Sequence, residues 1–447
     1  AKLYCCDWDG IAPLKARVAA GLQDGKRVVF PGHWIAASNS PADQLRAAAI
    51  WAADIYGSGT APPPPALSKH GRIRIAYVSA DFHAHATAFL MAELFERHDR
   101  TRFETIAVSH GPDDGSAMRT RLVGAFDHFL DVQHKSDDEV ADLLRAMQVD
   151  IAVDLKGYTQ GARLGIFQRR PAPIQVSYLG YPGTTGLGCI DYVLADRTVI
   201  PPDQLAFYTE HVVWLPDTYQ VNDSTRAAGV ESPSRAAAGL PPDGVVFCCF
   251  NSNYKITPEI FAIWMRLLAQ VPGSVLWLLR PNETAVRHLR QAAQVAGVEP
   301  ERIVFAERTD LASHLARLRL ADLFLDTLPY NAHTTASDAL LVGVPVLTCI
   351  GCAFPGRVAA SLLQAAGLPE LITDSLEAYE ARALELARDA AARAGMRAQL
   401  TAHIESGPVF DTDRFRQHLE RAFTEMVERH RRGEPPAPFA VEPLPPA

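Results

Sequence analysis

A chain of 447 residues exceeds what one hydrophobic core ordinarily serves and points to two or three domains. Its hydrophobic share of 48% excludes a disordered chain, and 51 acidic against 43 basic residues, a net charge of −8 with no Lys/Arg block, exclude a duplex-binding protein. No apolar run approaches bilayer-spanning length and the N-terminus lacks a signal-peptide profile, so neither nucleic acid nor membrane is an expected partner.

In chain order, residues 13–56 read as helical, with an amphipathic stretch from Asp43 to Tyr56, and they end in Gly57 and the run Pro62 to Pro65. Residues 1–66 are therefore expected to be a helical lead-in and stiff linker. From Arg72, strand-like runs at 73–79, 104–109, 150–155, 174–179 and 211–215 alternate with helical segments such as 87–98 and 136–147. That alternation implies a parallel sheet covered by helices, over a domain at 67–225. Residues 216–242 gather Asp, Ser, Pro and Gly and read as a linker.

A second series follows, with strands at 245–250, 275–280, 303–306, 322–326 and 344–348 and helices starting near Pro258, Glu283, Asp310, Thr335 and Gly356. It defines a second domain at 226–432, closing on one long amphipathic helix from Asp413 to Arg431, with 433–447 as a flexible tail. The expected fold class is α/β, with two facing doubly wound Rossmann-like domains.

The seven cysteines follow no regular spacing and suggest a reducing, cytoplasmic setting. Cys349 and Cys352 form a C-x-x-C without a second pair or neighbouring histidine, and read as buried thiols. The start at Ala1 rather than Met suggests a processed product or a piece of a longer protein.

Open parallel sheets bind ligands beyond the carboxyl ends of their strands. After the strand at 245–250 come Asn251, Ser252, Asn253, Tyr254 and Lys255, then Thr257, which can cap a helix opened by Pro258. Lys255 reads either as the neutraliser of an anionic diphosphate or as a solvated loop lysine. After the strand at 322–326, Tyr330, His333, Thr334, Thr335 and Asp338 enter a short helix. They suit a pyrophosphate and a ribose, or are a plain cap and a first-turn acid.

In the first domain, Asp81, His83 and His85 sit between a strand and a helix. His85 is placed to take a proton from a hydroxyl or to position a sugar, and without a third ligand no metal is expected. The loops 154–161 and 179–186, with Gly180 and Pro182, would allow close backbone approach to a ligand or simply turn tightly.

Four segments in this order, S-A-D-F-x-x-H, R-P-A-P-I-Q-x-x-x-L-G-Y-P-G-T-T-G, F-N-S-N-Y-K-I and N-A-H-T-T-x-x-D, resemble the O-GlcNAc transferase family over roughly residues 72–430. The resemblance implies a GT-B fold and inverting, metal-independent transfer of N-acetylglucosamine from UDP-GlcNAc to Ser/Thr hydroxyls of protein or peptide acceptors, with no cofactor. It implies UDP on the second domain, bound by Asn251, Ser252 and Thr309 among others, with Lys255 on the diphosphate, His333, Thr334 and Thr335 around the phosphates, Asp338 on the ribose, and His314 and Arg317 beside the uracil. His85 would be the base, and Gly180, Pro182, Tyr254 and Tyr330 would line the sugar pocket.

Animal members carry Gln where Ser252 stands, which implies a lost or shortened nucleotide contact. The run Asp326 to Tyr330, D-T-L-P-Y, looks more like the SPINDLY branch, which uses GDP-fucose, so that reaction, an epimerase and a non-catalytic scaffold are the alternatives. The family usually carries a tetratricopeptide array, of which residues 1–66 would be at most the end.

Overall fold

The computed structural model describes residues 1–57, 62–226 and 231–445 and divides into two compact units. The first comprises Val18–Thr225 and Pro408–Ala447, the second Ala1–Arg17 and Arg226–Gly407.

In the first unit the strands are β1 (Ile73–Ser79), β2 (Phe103–Ser109), β3 (His128–Asp131), β4 (Ile151–Asp154), β5 (Ile174–Ser177), β6 (Tyr192–Ala195) and β7 (His211–Trp214). The second unit holds β8 (Val246–Cys249), β9 (Val275–Leu279), β10 (Ile303–Ala306), β11 (Leu323–Leu325), β12 (Val346–Cys349) and β13 (Ile372–Thr373), and β14 (Phe439–Ala440) closes the chain. The strand orders are β14-β7-β6-β5-β4-β1-β2-β3 and β10-β9-β8-β11-β12-β13, and every pairing is parallel. Parallel strands need helical crossovers, and these bury both faces: β2, β4, β5 and β8 are buried along their whole length.

Each sheet reverses its strand order once, between β1 and β4 in the first unit and between β8 and β11 in the second. Crevices open beyond the carboxyl ends of the strands at such reversals, and those ends carry the candidate residues around His85 and around Lys255 and His333. Local chemistry fixes the helices that follow: Thr257 accepts the Ile260 N–H ahead of Pro258, and Ser136 and Glu139 form a reciprocal capping box.

The expected boundaries need correction. Helix Thr412–Arg431 belongs to the first unit rather than the second, since its apolar stripe, Phe415, Leu419, Phe423, Met426 and Val427, is buried there. Glu420 Oε1 also lies 3.0 Å from His98 Nδ1 and accepts the Asp99 N–H, and Thr412 Oγ1 donates to Glu93. The expected flexible tail supplies β14, which extends the sheet beside β7.

The lead-in also divides, Ala1–Arg17 grouping with the second unit and Val18 onward with the first. Thr218–Asp223, expected in a linker, are buried and held by bonds such as Tyr219 N–H to Asp196 Oδ2; residues 227–230 lie outside the described part. Cys349 is buried but Cys352 is exposed, and among the described residues no disulfide forms. No described helix is long and apolar enough to cross a membrane.

Candidate functional site

At the second unit's strand reversal, a short 3-10 turn, Asn253–Lys255, turns Lys255 inward, so it is only 9% exposed and is not a solvated loop lysine. Its Nζ donates to the Asn331 carbonyl at 2.8 Å and stands 3.9 Å from the Tyr330 ring centroid. Burial pulls its pKa below the ordinary lysine range, and the charge of Asp326 opposes that pull.

Asp326, absent from the expected site residues, organises the loop. Its Oδ1 accepts the N–H groups of Thr327 and Ala332, and its Oδ2 accepts the Thr348 hydroxyl at 2.7 Å. Asn251 ties this loop to the one after β8, donating to Thr327 Oγ1 at 2.8 Å and accepting from Thr335 Oγ1 at 2.5 Å. The only signal available was a carboxylate at the end of a strand ahead of a turn.

His333 precedes helix Thr334–Leu341 and provides no side-chain cap, and the Thr335 hydroxyl is spent on Asn251. The plain-cap alternative for the threonines is therefore not what forms, and the Thr334 and Thr335 N–H groups have no acceptor within the helix. The His333 Nε2 lies 3.1 Å from the Pro355 carbonyl, and burial, aided by Lys255, drives its pKa well down, so the ring is neutral.

Asp338 is buried one turn in, with Oδ1 held by Arg226 Nη1 at 2.7 Å, so it is more than a first-turn acid. His314 and Arg317, on helix Leu311–Leu318, stand against Phe250 at the end of β8, with the imidazole edge-on at 5.0 Å and the guanidinium 5.2 Å from the ring. Burial lowers the His314 pKa to about 4. Ser252 and Thr309 are exposed, whereas Tyr254 meets Tyr330 edge-on at 6.3 Å.

At the first unit's strand reversal, Asp81 receives a two-pronged ion pair from Lys156, with Nζ 2.9 and 2.7 Å from its oxygens and both residues buried. His85 caps helix Ala86–Arg97: its Nδ1 accepts the Thr87 N–H at 3.2 Å and lies 3.4 Å from Asp81. With Nδ1 accepting, a neutral ring carries its proton on Nε2. Burial lowers the pKa of His85, Asp81 raises it, and Lys156 lowers it again.

The loop with Gly180 and Pro182 is fixed from within. Glu210 accepts the Thr185 N–H at 2.7 Å and the Thr184 hydroxyl at 2.6 Å, and the Tyr158 hydroxyl donates to the Thr185 carbonyl. Leu179 holds φ at +61°, a conformation costly for a residue with a Cβ. A Cβ on Gly180 would lie 1.8 Å from the Leu155 carbonyl oxygen, so this glycine is dictated by the chain crossing beneath it. Gly180→Ala is expected to cost about 3 kcal/mol, read as a lower Tm; a loss below about 0.5 kcal/mol would mean that the crossing yields freely.

A family model described as glycosyl transferase family 41 matches residues 63–228 and 225–419. The chain belongs to glycosyl transferase family 41. Among members of family 41 and their neighbours, it is 40% identical over 83% of its length to the probable UDP-N-acetylglucosamine–peptide N-acetylglucosaminyltransferase SEC of Arabidopsis thaliana, covering 38% of that protein. It is 32% identical over 81% of its length to the protein of the same description named SPINDLY from Oryza sativa subsp. japonica, covering 40% of it. The chain thus spans about two fifths of the length of these curated relatives. Its fold superimposes on a lysine-to-methionine mutant of the Thermobaculum terrenum O-GlcNAc transferase with a TM-score of 0.83 and 30% identity, over 97% of this chain and 83% of that one. The two doubly wound units are those of the GT-B class.

Proposed function

We propose that this chain transfers N-acetylglucosamine from UDP-GlcNAc to serine or threonine hydroxyls of proteins, by a single in-line displacement that inverts the anomeric carbon and needs no metal. The observation that carries this reading is the anion site of the second unit, where a buried ammonium and the uncapped N–H groups of Thr334 and Thr335 flank a loop tied together by Asn251 and Asp326. Those groups would meet the charge that develops as the diphosphate departs, which is the work a divalent ion does elsewhere.

Asp338 would take the ribose with the oxygen that Arg226 leaves, His314 and Arg317 would flank the uracil, and Tyr254 and Tyr330 the sugar. His85, with its proton on Nε2, serves better as a donor that orients an oxygen than as a base. The acceptor's hydroxyl proton then passes to the departing diphosphate as the new C–O bond forms and the old one breaks. Seven cysteines without regular spacing support a reducing, cytoplasmic setting for this chemistry.

The D-T-L-P-Y run at 326–330 favours a second reading, GDP-fucose as donor. Both SEC and the SPINDLY protein are described as UDP-N-acetylglucosamine–peptide N-acetylglucosaminyltransferases, which supports UDP-GlcNAc. A thermal-shift titration in EDTA separates them, since a ligand at about a hundredfold its Kd adds roughly 2.7 kcal/mol. Stabilisation by UDP and not GDP, followed by transfer from UDP-GlcNAc to a peptide, is the expected result. GDP preference would replace the donor, dependence on added Mg²⁺ would sink metal independence, and UDP binding without turnover would leave a scaffold.

A further inference from the structure

The first eight residues form a strap on the second unit, folded on itself by the Lys2–Asp7 ion pair at 2.5 Å and by Asp7 N–H to the Lys2 carbonyl. Two side-chain amides fix it at one point: the Tyr4 carbonyl accepts from Asn253 Nδ2 at 2.6 Å and from Asn282 Nδ2 at 2.7 Å. The Asn282 amide cannot be reversed, because its Oδ1 already caps helix Glu283–Val295 by accepting the Ala285 N–H. The Cys5 carbonyl lies 2.8 Å from His288 Nδ1, the Cys6 thiol donates to the Asn253 carbonyl, and Trp8 packs on Phe261 at 5.3 Å.

Two of these contacts, from the Tyr4 carbonyl and the Cys6 thiol, land on Asn253 in the turn that carries Lys255. The Tyr4 ring lies 4.9 Å from that of Tyr254, Tyr254 meets Tyr330 at 6.3 Å, and Tyr330 packs on both Lys255 Nζ at 3.9 Å and His333 at 4.9 Å. An aromatic row therefore runs from the strap to the ammonium and the helix end that hold the candidate diphosphate. Tyr4 remains about half exposed, so its ring is not there to fill a core.

We infer that the strap Lys2–Trp8 is part of the donor-binding apparatus, with Tyr4 as a positioning residue that holds Tyr254, and through it the Lys255 turn, in its ligand-ready arrangement. The strap touches no reacting atom and acts through the turn. Its importance for catalysis rests on the donor reading above, whereas its grip on the turn does not.

The test compares wild type with Tyr4→Ala, Tyr4→Phe and Tyr4→Leu in the full chain, by amide hydrogen exchange without ligand and by UDP titration. Tyr4→Ala is expected to speed exchange at residues 251–257 and 329–335 and to weaken UDP binding about three- to tenfold, the range one aromatic pair supports. Tyr4→Phe should behave as wild type on both, and Tyr4→Leu, which keeps the bulk without the ring, should follow Tyr4→Ala and substitutes for it if that variant unfolds. Faster exchange confined to residues 1–9, or unchanged UDP affinity in a variant whose wild type binds UDP, would overturn the inference. Faster exchange at both loops in a chain that ignores UDP would uphold the grip on the turn and refute the donor reading instead.

Discussion

Replacing Lys255 by methionine is expected to lower kcat/KM for transfer by at least about a hundredfold while leaving the protein folded. Methionine fills the same buried space against the Tyr330 ring without the charge, so no cavity opens there, and removing a buried ammonium relieves a desolvation cost. The remaining losses are the bond to the Asn331 carbonyl and the counter-charge to Asp326, which together should move Tm by only a few degrees. Equal loss of stability and activity would make Lys255 a structural residue and refute its role at the leaving group.

The same lysine gives that reading a pH signature. Its pKa lies below the ordinary lysine range because the ammonium is buried, and diphosphate binding favours the charged form. UDP affinity is thus complete below the lowered pKa of the free protein and falls as pH rises through it, a loss visible between about 7 and 10, where an ordinary lysine keeps its charge. Lys255→Met should bind UDP weakly and show no such fall.

The alternation of strands was legible because buried parallel strands are continuous apolar runs between turn signals, as at 73–79 and 275–280. β3 escaped because it is an edge strand with exposed ends, His128 and Asp131, whereas β6, as long and as buried as β4, was simply passed over. The ends of the chain were misplaced because an amphipathic helix declares that it needs a partner but not which sheet supplies it. At the site, residue types and order were legible, whereas burial was not. Lys255 could not be told from a solvated lysine, Asp338 is paired with a residue 112 positions away, and Asp326, Glu210 and Tyr4 act through neighbours that only folding brings together.

The buried pair Asp81–Lys156 is where charge removal should cost the most stability. Either Asp81→Asn or Lys156→Met leaves the other residue desolvated opposite a lost partner, and each is expected to cost about 3–5 kcal/mol, read by urea unfolding. The double variant should cost much less than the sum, because neither charge is then stranded. Additive losses would show that the two act separately. The single variants also pull His85 in opposite directions. Without Lys156, the full charge of Asp81 falls on the imidazole and its pKa rises; without the charge of Asp81, burial and Lys156 push it lower still. A raised pKa lets the Nδ1 position acquire a proton and give up the Thr87 N–H, which frays the first turn of helix Ala86–Arg97. Histidine NMR titrations that moved the same way in both variants would contradict this account, in which burial holds the His85 pKa down and Lys156 adds to it by offsetting Asp81.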